Sequence, residues 1–436
     1  PPPPAPPPPP PAAPSPAYPP VGASAVEITL ASGANYSLAG EPIEVRGAGV
    51  SVSIGTSGVA PAILDAEELS RHFIVADGAM LTLRNLVLTG GYSGVANGGS
   101  ITVGGQGSAL RLFGVHMHSN RVDYSPSFLV QLGGAIFADL GTAVNVSRSL
   151  FTNNTGGCGA GIAAVGSVLH VTDTTFGAGF SSRGAGIYLT ADWLVTGAMG
   201  YAYLTDCTFE DCTTTHYGGA FYNLCSVAYM ERVAFARCKV PVDSPAGLFP
   251  GGGAIGSANG LHLPAGFLER AELWLKDCTF DDCFGDDAGG AVAVAAYSPT
   301  GDSLNYFSMV GGHFRRCTSG AEGGAVWHAD AVVDLKNVVF EDCQSEKGGA
   351  LSFYRPCRQF PDAIITEMLT RGMIEDQQPP YVRLGNCTFT RCLATGSPPN
   401  GGGAAWLTSG YDVLVEDSSF TNCTANFAGA IGSVAD

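Results

Sequence analysis

The chain has 436 residues, a formal net charge of -17 at neutral pH and only 14% charged residues. That acidic balance argues against nucleic acid and against anionic membrane surfaces as partners, and no apolar run of about 18 residues is present to insert in a bilayer. Sixty glycines, 28 prolines and 13 cysteines set it apart from ordinary cytosolic enzymes, since thiols at this density belong with oxidising compartments.

Half of the prolines fall in the first 20 residues: Pro1, Pro2, Pro3, Pro4, Pro6, Pro7, Pro8, Pro9, Pro10, Pro11, Pro14, Pro16, Pro19 and Pro20. Such a run enters neither helix nor sheet. It takes extended polyproline II, a semi-rigid spacer rising about 3.1 Å per residue. The chain therefore divides into a polyproline II arm over 1–20 and a repetitive domain over 21–436.

The repeat is an apolar anchor, a marked residue three positions later, and then a Gly/Ala cluster. It begins weakly, with Met117 before Asn120, Phe151 before Asn154 and Phe176 before Gly179. From Phe209 it is explicit in seven consecutive units, with the anchors Phe209, Phe235, Phe280, Phe314, Phe340, Phe389 and Phe420 each followed by Cys. The shortest anchor intervals, 25 and 26 residues, give the length of one coil; longer ones carry insertions near 241–271, 295–305, 353–380 and 393–401. A unit this small buries its apolar face only by stacking on its neighbours.

Within a unit, Tyr203, Thr205, Cys207 and Phe209 alternate, as do Leu273, Leu275 and then Cys278, Phe280. That is strand periodicity. The Gly/Ala clusters mark bends where backbones approach closely or where positive φ is needed. Short strands, tight bends and a coil of this length predict an all-β parallel β-helix; the leucine-rich-repeat spacing of Leu81 to Leu88 is not repeated elsewhere. One segment departs from strand pattern: Ile364, Ile365, Met368 and Leu369 fall at helical spacing within 353–380, as a short helix against the flank.

The residue before each repeat cysteine alternates in sign: Asp211, Arg237, Asp282, Arg316, Asp342, Arg391, then Asn422. Coils about 4.8 Å apart would set each carboxylate beside two guanidiniums, a structural ladder rather than a catalytic acid pair at Asp281 and Asp282. The cysteines themselves form two sets. Cys212, Cys238, Cys283, Cys317, Cys343, Cys392 and Cys423 follow the anchors, while Cys207, Cys278 and Cys387 precede them by two residues. Disulfides within a coil (Cys207 with Cys212, Cys278 with Cys283, Cys387 with Cys392) and between coils (Cys392 with Cys423) are both open. Thirteen is odd, so at least one thiol is free or bonded outside the chain, and Cys158, Cys225 and Cys357, off both sets, are the candidates for intermolecular or loop bridges.

Catalytic and metal signatures are absent from the sequence, and no enzyme is predicted. His116 and His118 share a strand face, and Asp286 and Asp287 fall in a turn that suits calcium, although turns favour aspartate anyway; neither is assigned as a site, and no cofactor is expected beyond covalent glycans. Five N-x-[ST] sequons, at Asn35, Asn145, Asn153, Asn386 and Asn422, are candidate N-glycan positions.

The F-x-x-N and GGA[ILV] motifs, over roughly residues 25 to 436, resemble the repeats of polymorphic outer membrane proteins and the wider right-handed β-helix superfamily, which includes pectate-lyase-like proteins. The departure is Cys in place of the family's Asn in seven consecutive units. The proline-rich arm resembles the hydroxyproline-rich glycoproteins of plant and green-algal extracellular matrix, which implies hydroxylated prolines bearing O-glycans; an ordinary linker or a proline-rich ligand is the plainer reading. Together these imply a processed or partial extracellular chain whose rod continues. Its expected role is structural, in a cell wall, filament or ciliary surface fibre, with other matrix glycoproteins or further copies of itself as partners. The alternative is a polysaccharide-binding adhesin or a lyase- or hydrolase-like enzyme that uses the sheet face as a glycan groove, with Tyr188, Trp193, Tyr201, Tyr217, Tyr222, Trp327 and Trp406 as candidate stacking platforms.

Overall fold

A computed structural model describes residues 24–123, 131–192, 196–241, 251–259, 270–295, 304–329, 331–353, 382–397, 401–408 and 413–434. The proline-rich arm, Trp193, Cys357 and the helical pattern at 364–369 lie outside the described residues. Those described form an all-β structure of parallel strands, with no helix among them.

Two sheets run the length of the described residues, and a third begins at Phe180. One has 13 strands in chain order, so every coil contributes one strand to it. A 24-stranded sheet holds two further rows, joined where the 12-residue strands Arg270–Asp281 and Leu304–Arg315 run unbroken through the corner between them. An 8-stranded sheet makes the remaining short side. Register is kept from coil to coil: Phe209 faces Phe235, Phe235 faces Phe280, and Phe280 faces Phe314.

That register explains the anchors. From Phe151 through Phe420 the rings stack with centroids 4.5–5.0 Å apart and planes within 15° of parallel. All but the half-buried Phe420 are sealed in the core. The stack is the spine of a single apolar interior that also takes in Leu81, Ile162 and Leu351.

Two kinds of bend turn the chain around this spine. In the Gly/Ala clusters both reasons for glycine apply at successive positions. Gly323 has φ +64°, and a Cβ on Gly324 would lie 2.1 Å from the Gly349 carbonyl oxygen of the next coil. The other corners, which the sequence did not mark as bends, are made mostly without glycine, Gly90, Gly114 and Gly311 being exceptions. Asp206, Arg232, Asp277, Asn337, Asn386 and Asp417 turn one, and Asp211, Arg237, Asp282, Arg316, Asp342, Arg391 and Asn422 turn the next, all with φ between 48° and 57°. Asn and Asp tolerate this left-handed conformation; Arg does so at a cost of roughly 1–2 kcal/mol. Each corner stays tied to the stack, as where the Arg237 N–H donates to the Asp281 carbonyl of the next coil.

Candidate functional site

The position three residues after each anchor sits inside the corner, where it must satisfy a carbonyl of the preceding coil. Asn120 and Asn154 do so through Nδ2, to Leu88 O at 3.1 Å and Met117 O at 2.9 Å, and Asn154 Oδ1 accepts in turn from the Asn120 amide. The seven cysteines inherit the task. Their Sγ atoms lie 3.5–3.8 Å from the anchor carbonyls of Phe176, Phe209, Phe235, Phe280, Phe314, Phe340 and Phe389. A thiol is smaller and less polar than an amide, so the column becomes part of the apolar core. Between the Asn and Cys sections Gly179 supplies no side chain, and a small cavity remains there, lined by Phe151, Asn154, Phe176, Gly179 and Cys212.

Along the column each thiol faces its neighbours one coil away: Cys238 lies between Cys212 and Cys283, Cys317 between Cys283 and Cys343, and Cys392 between Cys343 and Cys423. Burial pushes the Cys238, Cys317 and Cys343 thiols well above the ordinary range. Burial opposes charge at Cys283, while the neighbouring thiols favour the thiolate there and at Cys392. No cation acts on either, so a charge there would have nothing to offset its desolvation.

The second cysteine set has a different surrounding. Cys207, Cys278 and Cys387 close the other corner by donating to carbonyls two residues back, those of Thr205, Lys276 and Gly385. Ser149, Thr174 and Ser418 make the same bond with hydroxyls. Burial raises these thiols to about 11, 12 and 11. They are not stacked on one another, because intervening coils place Val233, Gly312 and Val338 between them.

Outside, the charged residues resolve into one-sided pairs. Each guanidinium reaches back to the carboxylate one coil earlier: Arg237 to Asp211 at 2.8 and 3.0 Å, Arg316 to Asp282 at 2.6 and 2.8 Å, and Arg391 to Asp342 at 2.7 and 2.8 Å. The adjoining strand position joins in, with Glu210, Asp281 and Glu341 held by the same three arginines and Asp281 also by Arg315 at 2.6 Å. The neighbouring corner carries a second set that the sequence reading missed: Arg232 holds Asp206 in two bonds of 2.7 and 2.9 Å, and Lys276 holds Glu231 at 3.0 Å. Hydrogen bonds from these cations hold Asp206, Asp281, Asp342 and Glu231 below the usual carboxylate range.

Three of the five sequon asparagines, Asn153, Asn386 and Asn422, occupy left-handed corner positions. Asn35 and those three are exposed, whereas Asn145 is half-buried within the strand Ala143–Ser147. Asn386 Nδ2 donates to Asn337 Oδ1 at 2.8 Å.

Of the aromatic candidates, Tyr188, Tyr217, Tyr222, Trp327 and Trp406 are buried, and Tyr201 is half-exposed. A different row lies outward on the long sheet. His170 stacks on Tyr203 at 4.8 Å and Tyr203 on Tyr229 at 5.4 Å, with planes within 10°, and Tyr229 stacks on Trp274 in turn, so Tyr203 and Tyr229 are covered on both faces. His116 and His118 stand 4.7 Å apart between ring centroids, bonded to Thr152 and Thr89 respectively. Among the described residues no group of three or more His, Cys, Asp or Glu is placed to hold a metal ion.

The chain matches no protein-family model and no curated protein.

Proposed function

We propose that this chain is an extracellular structural glycoprotein, a right-handed β-helical rod that assembles laterally into a cell-wall, filament or ciliary surface fibre, tethered by a glycosylated polyproline arm. The observation that carries the reading is the unbroken register of core columns from Phe151 to Phe420. Such a stack has its stability distributed along its length and its chemistry turned inward. At about 4.8 Å per coil, 13 coils make a rod roughly 60 Å long. Low surface charge favours side-by-side packing of such rods, and exposed sequons at Asn35, Asn153 and Asn422 suit a glycosylated surface. The polysaccharide-binding or carbohydrate-active alternative has less support, because most of its candidate platforms are buried.

The test is electron microscopy of native, untagged material together with glycopeptide masses for residues 1–20. Filaments or lattices with hydroxylated, sugar-bearing prolines are expected. Dispersed monomers with unmodified prolines would overturn the proposal and direct attention to polysaccharide binding.

A further inference from the structure

The seven-thiol column has a property that a packing role does not require. Its members are consecutive, one per coil, with no interruption from Cys212 to Cys423. The coil spacing, read from the phenylalanine stack beside it, is 4.5–5.0 Å, inside the Cα separation that disulfides span. In-register parallel strands point their Cβ atoms the same way, so neighbouring thiols face one another across one coil spacing.

Pairing within a coil meets the opposite geometry. The strand Thr208–Glu210 runs between Cys207 and Cys212, which at about 3.3 Å per residue sets their Cα atoms roughly 13 Å apart, well beyond disulfide reach. The same strand position separates Cys387 from Cys392.

We infer that the column is a site of disulfide formation between successive coils, pairing six of its seven cysteines; four frames do this, and two of them leave an end member as the thiol. Starting from Cys212, the bridges are Cys212–Cys238, Cys283–Cys317 and Cys343–Cys392, with Cys423 left over. Starting from Cys238, they are Cys238–Cys283, Cys317–Cys343 and Cys392–Cys423, with Cys212 left over beside the cavity at Gly179. The first frame leaves its spare thiol at the half-buried Cys423.

The oxidant is a low-molecular-weight disulfide such as oxidised glutathione. One cysteine thiolate attacks it, forming a mixed disulfide and releasing one small thiol. The thiolate of the next coil then attacks the protein-side sulfur, forming the inter-coil S–S bond and releasing the second small thiol. Two protons and two electrons leave the protein per bridge and reduce one molecule of oxidant. The thiols are sealed once coils have stacked, so exchange takes place as each coil closes on the last.

This inference rests on the extracellular reading only for its supply of oxidant, and the experiment separates the two. The full chain is folded with oxidised and reduced glutathione, its remaining thiols are alkylated in denaturant without reductant, and bridged peptides are mapped; native material is alkylated in parallel. The expected result is six of the seven column cysteines protected, with bridged peptides joining consecutive members. Cys317→Ser divides the column into two groups of three and is expected to give two bridges and two alkylated column thiols. Cys423→Ser, at the half-buried end, keeps the test open if the central variant does not fold, and is expected to give three bridges and no alkylated column thiol. Alkylation of the whole column after folding with oxidant, or peptides joining Cys207 to Cys212, would overturn the inference. Bridges in the oxidant-folded chain with none in native material would uphold it and overturn the extracellular reading.

Discussion

Arg316 reaches back one coil to hold Asp282 in two hydrogen bonds of 2.6 and 2.8 Å, while its second nitrogen also meets Asp281 at 2.7 Å. The arginine itself sits at φ +51°, so the pair helps compensate a corner conformation that a long side chain does not prefer. Because both partners are about half-exposed, water screens the pair and its contribution to stability is small. Arg316→Ala should therefore lower Tm by a few degrees at most, and the difference should shrink in high salt as screening shortens the reach of exposed charges. Thermal melts of both proteins at low and high ionic strength check this; a loss that salt leaves unchanged would assign the effect to packing of the side-chain stem.

The carboxylates of these corners also set an acid limit. Asp206, Asp281 and Asp342 lie below their ordinary pKa when folded, chiefly through hydrogen bonds from Arg232, Arg315 and Arg391. A depressed folded pKa means the unfolded chain binds the proton more readily. The stability contributed is thus present above the unfolded value of about 3.9 and lost as pH falls through the folded one. Stability should be flat in this respect above about pH 5 and decline below about pH 4. Charge-neutral Asp342→Asn should flatten the decline, as measured by denaturant midpoints across the acid range.

The core offers an internal comparison. Phe280 is sealed between Phe235 and Phe314, with centroids 4.9 and 4.5 Å away, whereas Phe420 is half-buried and stacks on Phe389 at 4.8 Å. Phe280→Ala should cost about 3–5 kcal/mol, the range for a large ring removed from a sealed core, and Phe420→Ala clearly less. Because the coils form a quasi-one-dimensional array, the Phe280 change is also expected to divide the unfolding transition, which calorimetry would show as a second peak.

The anchors and the cysteine column were legible in the sequence because they repeat at one offset, and a parallel stack in register converts a repeated offset into a column. The charged corners were legible only in part. Alternating sign revealed the pairs, but nothing in Asp, Arg or Asn announces positive φ, so bends at Asp206 or Arg237 were invisible beside the glycine clusters. The aromatic side chains misled for a different reason. Strand Ile187–Thr190 is buried on both faces, as is Ile255–Ala258, and without an exposed face there is no alternation to tell a core tyrosine from a surface one. The absent rung at Gly179 could be read as a missing Asn, yet only the structure shows the cavity it leaves between Asn154 and Cys212.

N-glycan occupancy should follow exposure and backbone shape. Asn35 lies at the exposed start of the strand Asn35–Ser37 and Asn153 at an outward corner, so both can accept a sugar with little rearrangement. Asn145 is half-buried mid-strand, in register with Arg111 and His170. Peptide mapping of native material is expected to find Asn35 and Asn153 occupied and Asn145 bare. Occupancy at Asn386 would require its Nδ2 to give up the bond to Asn337, so Asn337→Ala should raise the occupied fraction there.

Two glycines that look equivalent in sequence should respond oppositely to the same methyl group. At Gly324 an added Cβ would meet the Gly349 carbonyl oxygen at 2.1 Å and Gln344 backbone atoms at 2.6 Å. None of these can withdraw without parting the coils. At Gly385 the nearest atom would be Lys336 Cγ at 3.6 Å, an ordinary contact with a side chain free to adjust. Gly324→Ala should destabilise by several kcal/mol or prevent folding, since overpacking already costs about 1–3 kcal/mol where neighbours can shift. Gly385→Ala should be neutral or stabilising by about 0.4–1 kcal/mol, because it restricts the unfolded chain at a position that asks for no special φ. Denaturant melts of the two variants decide it: equal tolerance at both positions would mean the coils are less closely held at the glycine clusters than the 2.1 Å approach requires.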